Sequence, residues 1–221
     1  SSNIAMIVAV TDPEGGKKGI TTFITPTDNP GYMVTRKENK LGHRTNDTCQ
    51  IRFDDMRVPA SDVLGRPGEG LRIALSKISE GRIGVAAQAV GGARAALKAA
   101  RAYADERETF GKPLRNHQAI SFKLSEMATE IEAARQLFMH AAQLKDLCQP
   151  CAREAAMAKL FASEMAERVA SEAIQIHGGA GFLNDHPVEK IYRDVRVYQI
   201  YEGTSEVQKI VISRFLDEMD L

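Results

Sequence analysis

From about Gly68 onward the apolar residues stop alternating and recur every three or four positions, and this change of period constrains the fold more than anything else in the chain. Ile120, Leu124, Met127, Ile131, Ala134, Leu137, Ala141 and Leu144 draw one stripe along a long helix. Ala155, Ala158, Phe161, Met165 and Val169 draw the next, with Glu164 and Arg168 expected as an exposed i,i+4 pair in its favourable order. An earlier helix, about 70–104, is rich in alanine and glycine. Glycine costs a helix about 0.5–1 kcal/mol against alanine, so Gly84, Gly91 and Gly92 are read as places of close backbone approach at a helix crossing. After the glycines at 178–181 come two shorter helices, about 187–197 and 205–216. Long amphipathic helices with short connections predict an antiparallel four-helix bundle, so the chain is mainly α.

Residues 1–66 read as strands instead. Ile4–Val10 and 20–25 are short β-branched runs bounded by Asp12-Pro13-Glu14-Gly15-Gly16 and Asp28-Asn29-Pro30-Gly31, and 32–37 and 48–58 add two or three more. So few strands make a poor sheet alone, and the chain starts directly inside one. The expectation is that 1–66 is the incomplete C-terminal part of a larger β-domain and 67–221 the helical domain, joined at Gly65-Arg66-Pro67-Gly68-Glu69-Gly70, whose spacing is not that of a nucleotide-binding loop.

Lys plus Arg equal Asp plus Glu at 29 each, so no basic field exists to hold a nucleic-acid backbone or an anionic membrane. No apolar run approaches the roughly 20 residues of a membrane span, and Ser1-Ser2-Asn3-Ile4 lacks the zones of a signal peptide, so the sequence reads as soluble and intracellular. Three cysteines are too few and odd in number for a disulfide framework. Cys148-Gln149-Pro150-Cys151 has ligand-like spacing but no further paired ligands, and is read as a helix joint with Pro150 at a first helical position. Cys49 is read as a small hydrophobe in a strand.

Chemistry has four candidate places, each with a plain structural alternative. Ser79-Glu80-Gly81-Arg82 puts an arginine on the apolar face of the first long helix, either paired with a buried carboxylate or facing an anionic or carbonyl-bearing ligand. Arg107-Glu108-Thr109-Phe110-Gly111-Lys112-Pro113-Leu114, leading to His117-Gln118, is a solvated corner or an anion grip. Gln175-Ile176-His177-Gly178-Gly179-Ala180-Gly181 is a helix C-cap or a backbone platform for a ligand. In Tyr201-Glu202-Gly203-Thr204-Ser205-Glu206-Val207-Gln208 a carboxylate stands just before a helix start, as a solvated end or as a general base beside an anion site.

Together these motifs, with Gly19-Ile20-Thr21, Lys40-Leu41-Gly42 and Phe53-Asp54-Asp55-Met56-Arg57-Val58-Pro59 upstream, closely resemble the acyl-CoA dehydrogenase family over essentially the whole chain. The resemblance implies the last strands of a β-barrel-like middle domain followed by the C-terminal helical bundle. It also implies FAD as cofactor, an acyl-CoA substrate and electron-transfer flavoprotein as partner. The assembly implied is a homotetramer, a dimer of dimers, in the bacterial cytoplasm or, in a eukaryote, the mitochondrial matrix. Neither nucleic acid nor a membrane span is expected.

Residue by residue, Glu202 matches the base that removes the α-proton of the thioester, and Gly203 leaves room for substrate beside it. Thr204, Ser205 and Glu206 match positions lining the FAD adenosine and diphosphate. Arg107 matches the diphosphate-binding arginine, Phe110 lies beside the cofactor, and His117 and Gln118 contact it. Arg107 and Gln175, with Gly178 and Gly179, reach a cofactor held mainly by a neighbouring subunit. Ser79, Gly81 and Arg82 line the substrate pocket on its CoA side, Ser79 standing where relatives often carry aspartate. Some members place the base in the first long helix; here that position is Gly81, and Glu80 is about 100° round the helix. The wording Gly81-Arg82-Ile83-Gly84 leans toward the short-chain, butyryl-like branch. The alternatives are a non-catalytic helical oligomerisation module that kept the fold, and an acyl-CoA oxidase; by itself this 221-residue piece is expected to be inactive and to hold little flavin.

Overall fold

The structure, a computed structural model, describes residues 2–218. The chain forms two compact units that divide between Ile78 and Ser79. In the first, β1 (Ile4–Val10) and β2 (Ile20–Pro26) pair antiparallel from Ile4 opposite Pro26 to Val10 opposite Ile20, and the short β5 (Val63–Leu64) adds to the other edge of β2. Asp12 makes the β1–β2 connection turn: its carboxylate accepts from the Glu14 N–H at 3.1 Å, and a side chain at Gly19 would collide with the Asp12 carbonyl. β3 (Tyr32–Lys37) and β4 (Cys49–Phe53) form a separate hairpin with an irregularity between Val34 and Arg36. The strand expected over 48–58 is thus shorter, because its second half carries charged and turn residues that end at Pro59. Thr21, Thr22 and Thr25 are buried, and the Thr22 hydroxyl donates to the Gly70 carbonyl at 3.2 Å.

Five α-helices are present among the described residues: α1 (Gly70–Glu106), α2 (Gln118–Asp146), α3 (Ala152–His177), α4 (Pro187–Val195) and α5 (Ser205–Ser213). Between α1 and α2 lies a miniature hairpin, β6 (Glu108–Thr109) and β7 (Lys112–Pro113). The bundle's core is built from small residues. Ala86, Ala89, Ala93, Ala96, Ala100 and Ala104 follow the helical period down α1, and share one core with Met127, Ile131 and Ala134 of α2 and Ala162, Met165, Val169 and Ala173 of α3.

Three expectations change in detail. Gly92 does sit at a close approach, since a methyl there would lie 3.2 Å from Val195 Cγ1, but Gly84 and Gly91 face nothing within 4 Å. Arg168 turns away from Glu164 to Glu130 of α2, at 2.9 Å, and Glu164 instead faces Lys209 of α5 at 3.9 Å. Cross-helix partners outcompete an intrahelical pair worth only a few tenths of a kcal/mol. Pro150 precedes the cap, which is Cys151, so it is outside the first turn of α3. All three cysteines are free thiols, and no cluster of metal-ligating side chains occurs among the described residues. No helix among them is long and apolar enough to cross a membrane.

Candidate active site

The segment linking α4 to α5 is locked before it reaches Glu202. The Tyr201 hydroxyl donates to Gln88 Oε1 of α1 at 2.7 Å and its ring stacks on buried Tyr198, with centroids 6.0 Å apart. Burial, and the neighbouring Tyr198 and Glu202, hold the Tyr201 phenol well above its ordinary range, so it stays a neutral donor. The backbone then takes two successive positive φ values, 54° at Glu202 and 89° at Gly203, before Thr204 caps α5 by accepting from the Val207 N–H at 3.4 Å. A left-handed glutamate costs on the order of 1 kcal/mol and persists only where its surroundings fix it.

Two side chains of zero exposure do so here. Gln208 Nε2 donates to the Glu202 carbonyl at 3.1 Å and to the Gly203 carbonyl at 2.9 Å, and Lys159 Nζ donates to the Gly203 carbonyl at 2.6 Å. A side chain at Gly203 would meet that Gln208 amide at 2.8 Å, so glycine is needed on grounds of space as well as conformation.

The turn aims the Glu202 carboxylate at α1. A methyl on Gly81 would lie 2.7 Å from Glu202 Oε2 and 2.8 Å from its Cδ, so Gly81 provides the room the carboxylate occupies. Arg82, 8% exposed, is the next residue; burial lowers its pKa while the nearby Glu202 charge opposes that shift. Lys159 is pushed down to about 8, first by burial and then by Arg82, with Glu202, Glu206 and Glu164 pulling the other way. Glu206, on the exposed first turn of α5, is held below the usual carboxylate range by its own backbone N–H and the Thr204 hydroxyl.

Arg82 Nε, Glu202 Oε2, Ser205 Oγ and Gln208 Oε1 are all buried without a hydrogen-bond partner among the described residues. Buried polar atoms are rarely left so. Their concentration around one carboxylate marks a place where a polar ligand completes the bonding, with an acid–base group at its centre.

The structure therefore brings Gly81, Arg82, Glu202, Gly203, Thr204, Ser205 and Glu206 to one end of the bundle. The side chain of Ser79 lies outside the described residues, although its backbone is part of α1. The other expected residues are elsewhere. Arg107 follows the end of α1, about 35 Å along that helix from Arg82 at 1.5 Å per residue. Phe110, 98% exposed with φ of 52°, and Gly111, φ of 79°, form the tip of the β6–β7 hairpin. His117 Nε2 lies 3.2 Å from the Thr109 hydroxyl and 3.1 Å from its carbonyl, which ties the hairpin to the start of α2, where Gln118 is exposed. Gln175, Gly178 and Gly179 are exposed at the C-terminal end of α3; the Gly178 N–H bonds the Gln175 carbonyl, and its φ of 59° with ψ of −137° is open to glycine. His177 of α3 stacks on Tyr103 of α1, centroids 4.3 Å apart, and the Arg107 N–H bonds the Tyr103 carbonyl, so the Arg107 and Gln175 groups share one end of the bundle. Glu202 is at the other.

Lys159 and Gln208 are the site residues that the motifs alone pass over. A signal existed for Lys159: it falls on the α3 stripe between Ala155 and Ala162, a charge at a core position.

Comparison with known proteins finds relatives of the whole chain. The family model for the acyl-CoA dehydrogenase C-terminal domain matches residues 68–216. An acyl-CoA dehydrogenase of Bacillus subtilis is 47% identical over 216 residues, 98% of this chain and 57% of the relative. The structure of butyryl-CoA dehydrogenase from Megasphaera elsdenii superposes with a TM-score of 0.95 at 46% identity, over 97% of this chain and 56% of that one. A chain from work on the electron transferring flavoprotein of Acidaminococcus fermentans superposes with a TM-score of 0.96 at 45% identity, over 98% of this chain and 57% of that one. The chain thus spans little more than half the length of these relatives. With the family model matching most of the chain and a relative 47% identical over 98% of it, the chain belongs to the acyl-CoA dehydrogenase family.

Proposed function

We propose that the protein oxidises an acyl-CoA thioester to the trans-2-enoyl-CoA, with Glu202 as the base that takes the α-proton. The observation that carries this reading is the Glu202 carboxylate on its positive-φ turn, one oxygen buried and unpartnered, set against Gly81 and Arg82. The short-chain, butyryl-like wording of 81–84 and the Megasphaera relative support a short acyl chain.

The residues present fit FAD. Ser205 Oγ is buried without a partner at the N-terminus of α5, Phe110 is presented almost fully to solvent in a strained turn, and Arg107 is exposed beside it. Thr204, Ser205 and Glu206 would hold the cofactor from one subunit, and Arg107, Phe110, His117, Gln118, Gln175, Gly178 and Gly179 from another. Bound FAD supplies the acceptor for the β-hydride. Glu202 receives the α-proton, and its backbone N–H, on the same turn, would donate to the thioester oxygen where enolate charge develops. Gly203 leaves the substrate room. Arg82, with Ser79 and Gly81, borders the CoA side.

Separation of the two groups of residues along α1 supports an assembly in which one cofactor is shared between copies, a homotetramer built as a dimer of dimers. Electron-transfer flavoprotein is the electron acceptor in this reading, in the cytoplasm of a bacterium or the mitochondrial matrix of a eukaryote. Residues 1–66 would contribute the last strands of the middle β-domain and 67–221 the helical domain.

The test is Glu202→Gln in the full-length protein: FAD stays bound, and bleaching of its absorbance near 450 nm by acyl-CoA is lost by about 10³-fold or more. Bleaching at the wild-type rate overturns the assignment. Rapid reoxidation of the reduced protein by air, with peroxide formed, would make it an oxidase instead.

A further inference from the structure

Lys159 is a lysine with no exposed surface and, among the described residues, no carboxylate in salt-bridge contact. Among the described residues its single hydrogen bond is to a backbone carbonyl, Gly203 O at 2.6 Å. Burying an ammonium on such terms is expensive, and a methionine of the same length would fill the α3 stripe without that cost. The carbonyl it holds belongs to the second of two consecutive left-handed residues, the first being Glu202. Gln208 bonds the same carbonyl from α5, so Gly203 O is clamped from two helices. We propose that Lys159 is a positioning residue of the Glu202 turn: its ammonium, donating to the Gly203 carbonyl, fixes the turn so that the carboxylate is held against Gly81 and Arg82.

The inference rests on the reading of Glu202 as the base, but it concerns the turn itself and is measurable without turnover. Charged groups face Lys159 from each neighbouring element: Arg82 on α1, Glu202 on the turn, Glu206 on α5 and Glu164 on α3. Burial and Arg82 outweigh the three carboxylates and bring its proton within reach of ordinary pH, at about 8. Loss of that proton removes the cost of burying the charge, while the neutral amine can still donate to the Gly203 carbonyl.

The experiment compares full-length wild type, Lys159→Met and Glu202→Gln by hydrogen exchange and by flavin bleaching. In Lys159→Met, amides of the segment 201–208 exchange about 10- to 100-fold faster, the factor expected from losing a charge-assisted bond, while the cores of α1 and α3 keep their protection. Its melting temperature is unchanged or higher, so a loss of kcat with little change in substrate dissociation constant is not unfolding. In wild type the protection of 201–208, corrected for intrinsic exchange, rises with pH above about 8, because opening the segment returns Lys159 to water and to its ordinary proton affinity. Wild-type exchange of 201–208 in a folded Lys159→Met protein overturns the proposal. Should that variant not fold, protection of 201–208 in wild type that stays level from pH 7 to 9 overturns it equally. If Glu202→Gln bleaches normally, the base assignment fails, and the exchange comparison still decides the role of Lys159.

Discussion

Glu202 and Gly203, with φ of 54° and 89°, show how a single residue's chemistry depends on backbone strain held elsewhere. Glutamate gains nothing from the left-handed region, so the stabilisation comes from Lys159 and Gln208, both fully buried. The burial of Lys159 has a pH signature of its own. Its folded pKa, about 8, is below the ordinary 10.5, so between these values the unfolded chain carries a proton that the folded chain has released. Stability from this group therefore rises with pH across that window, opposite to the behaviour of a lysine in an ion pair. Denaturant unfolding from pH 7.5 to 10.5 should show a rise on the order of 2–3 kcal/mol in wild type relative to Lys159→Met. Parallel curves for the two proteins would mean that Lys159 keeps an ordinary pKa. Nothing in the sequence gives this directly, because a lysine on an apolar stripe can extend its stem to water, and only the packing of the 201–208 segment over it decides that it does not.

At the scale of elements, α1 carries glycines whose roles differ although each interrupts the same helix. Gly81 faces the Glu202 carboxylate, Gly92 faces Val195 and Tyr198, and Gly91 faces open space. Helical period locates a stripe but not what covers it, which is why α1, α2 and α3 were legible from the apolar pattern while Gly84 and Gly91 were not assignable by it. The same limit applies to Arg168: spacing says that Glu164 is within reach, and the register of α2 supplies Glu130 instead. Site residues contiguous in sequence, from Glu202 to Glu206, could be read as a motif, and Gln208 lies in the same stretch; Lys159 acts on the turn only through tertiary packing. Gly91→Ala should raise stability by about 0.5–1 kcal/mol through helix propensity alone. Gly92→Ala should gain less or lose, because Val195 Cγ1 at 3.2 Å must give way. Denaturant midpoints at constant m-value measure both, and equal gains would show slack at the α1–α4 crossing.

For the whole molecule, the length of α1 sets the problem: Arg82 and Arg107 stand about 35 Å apart on or just beyond one helix, so no ligand held at Glu202 meets Arg107 of the same copy without a second bundle alongside. A two-fold arrangement would resolve this, since an isologous pair can place the far end of each bundle near Glu202 of the other. It also makes a quantitative prediction. Arg107→Ala and Glu202→Gln, each inactive alone, combine in a mixed pair to give one site carrying both substitutions and one carrying neither. Random assembly makes about half of all pairs mixed, so co-expression of the two variants should restore about a quarter of wild-type bleaching activity per site. If Arg107 and Glu202 served the same copy's site, every site would keep one substitution and mixing would restore nothing. Recovery therefore tests the shared site separately from the identity of the base, because Glu202→Gln alone already reports on the latter.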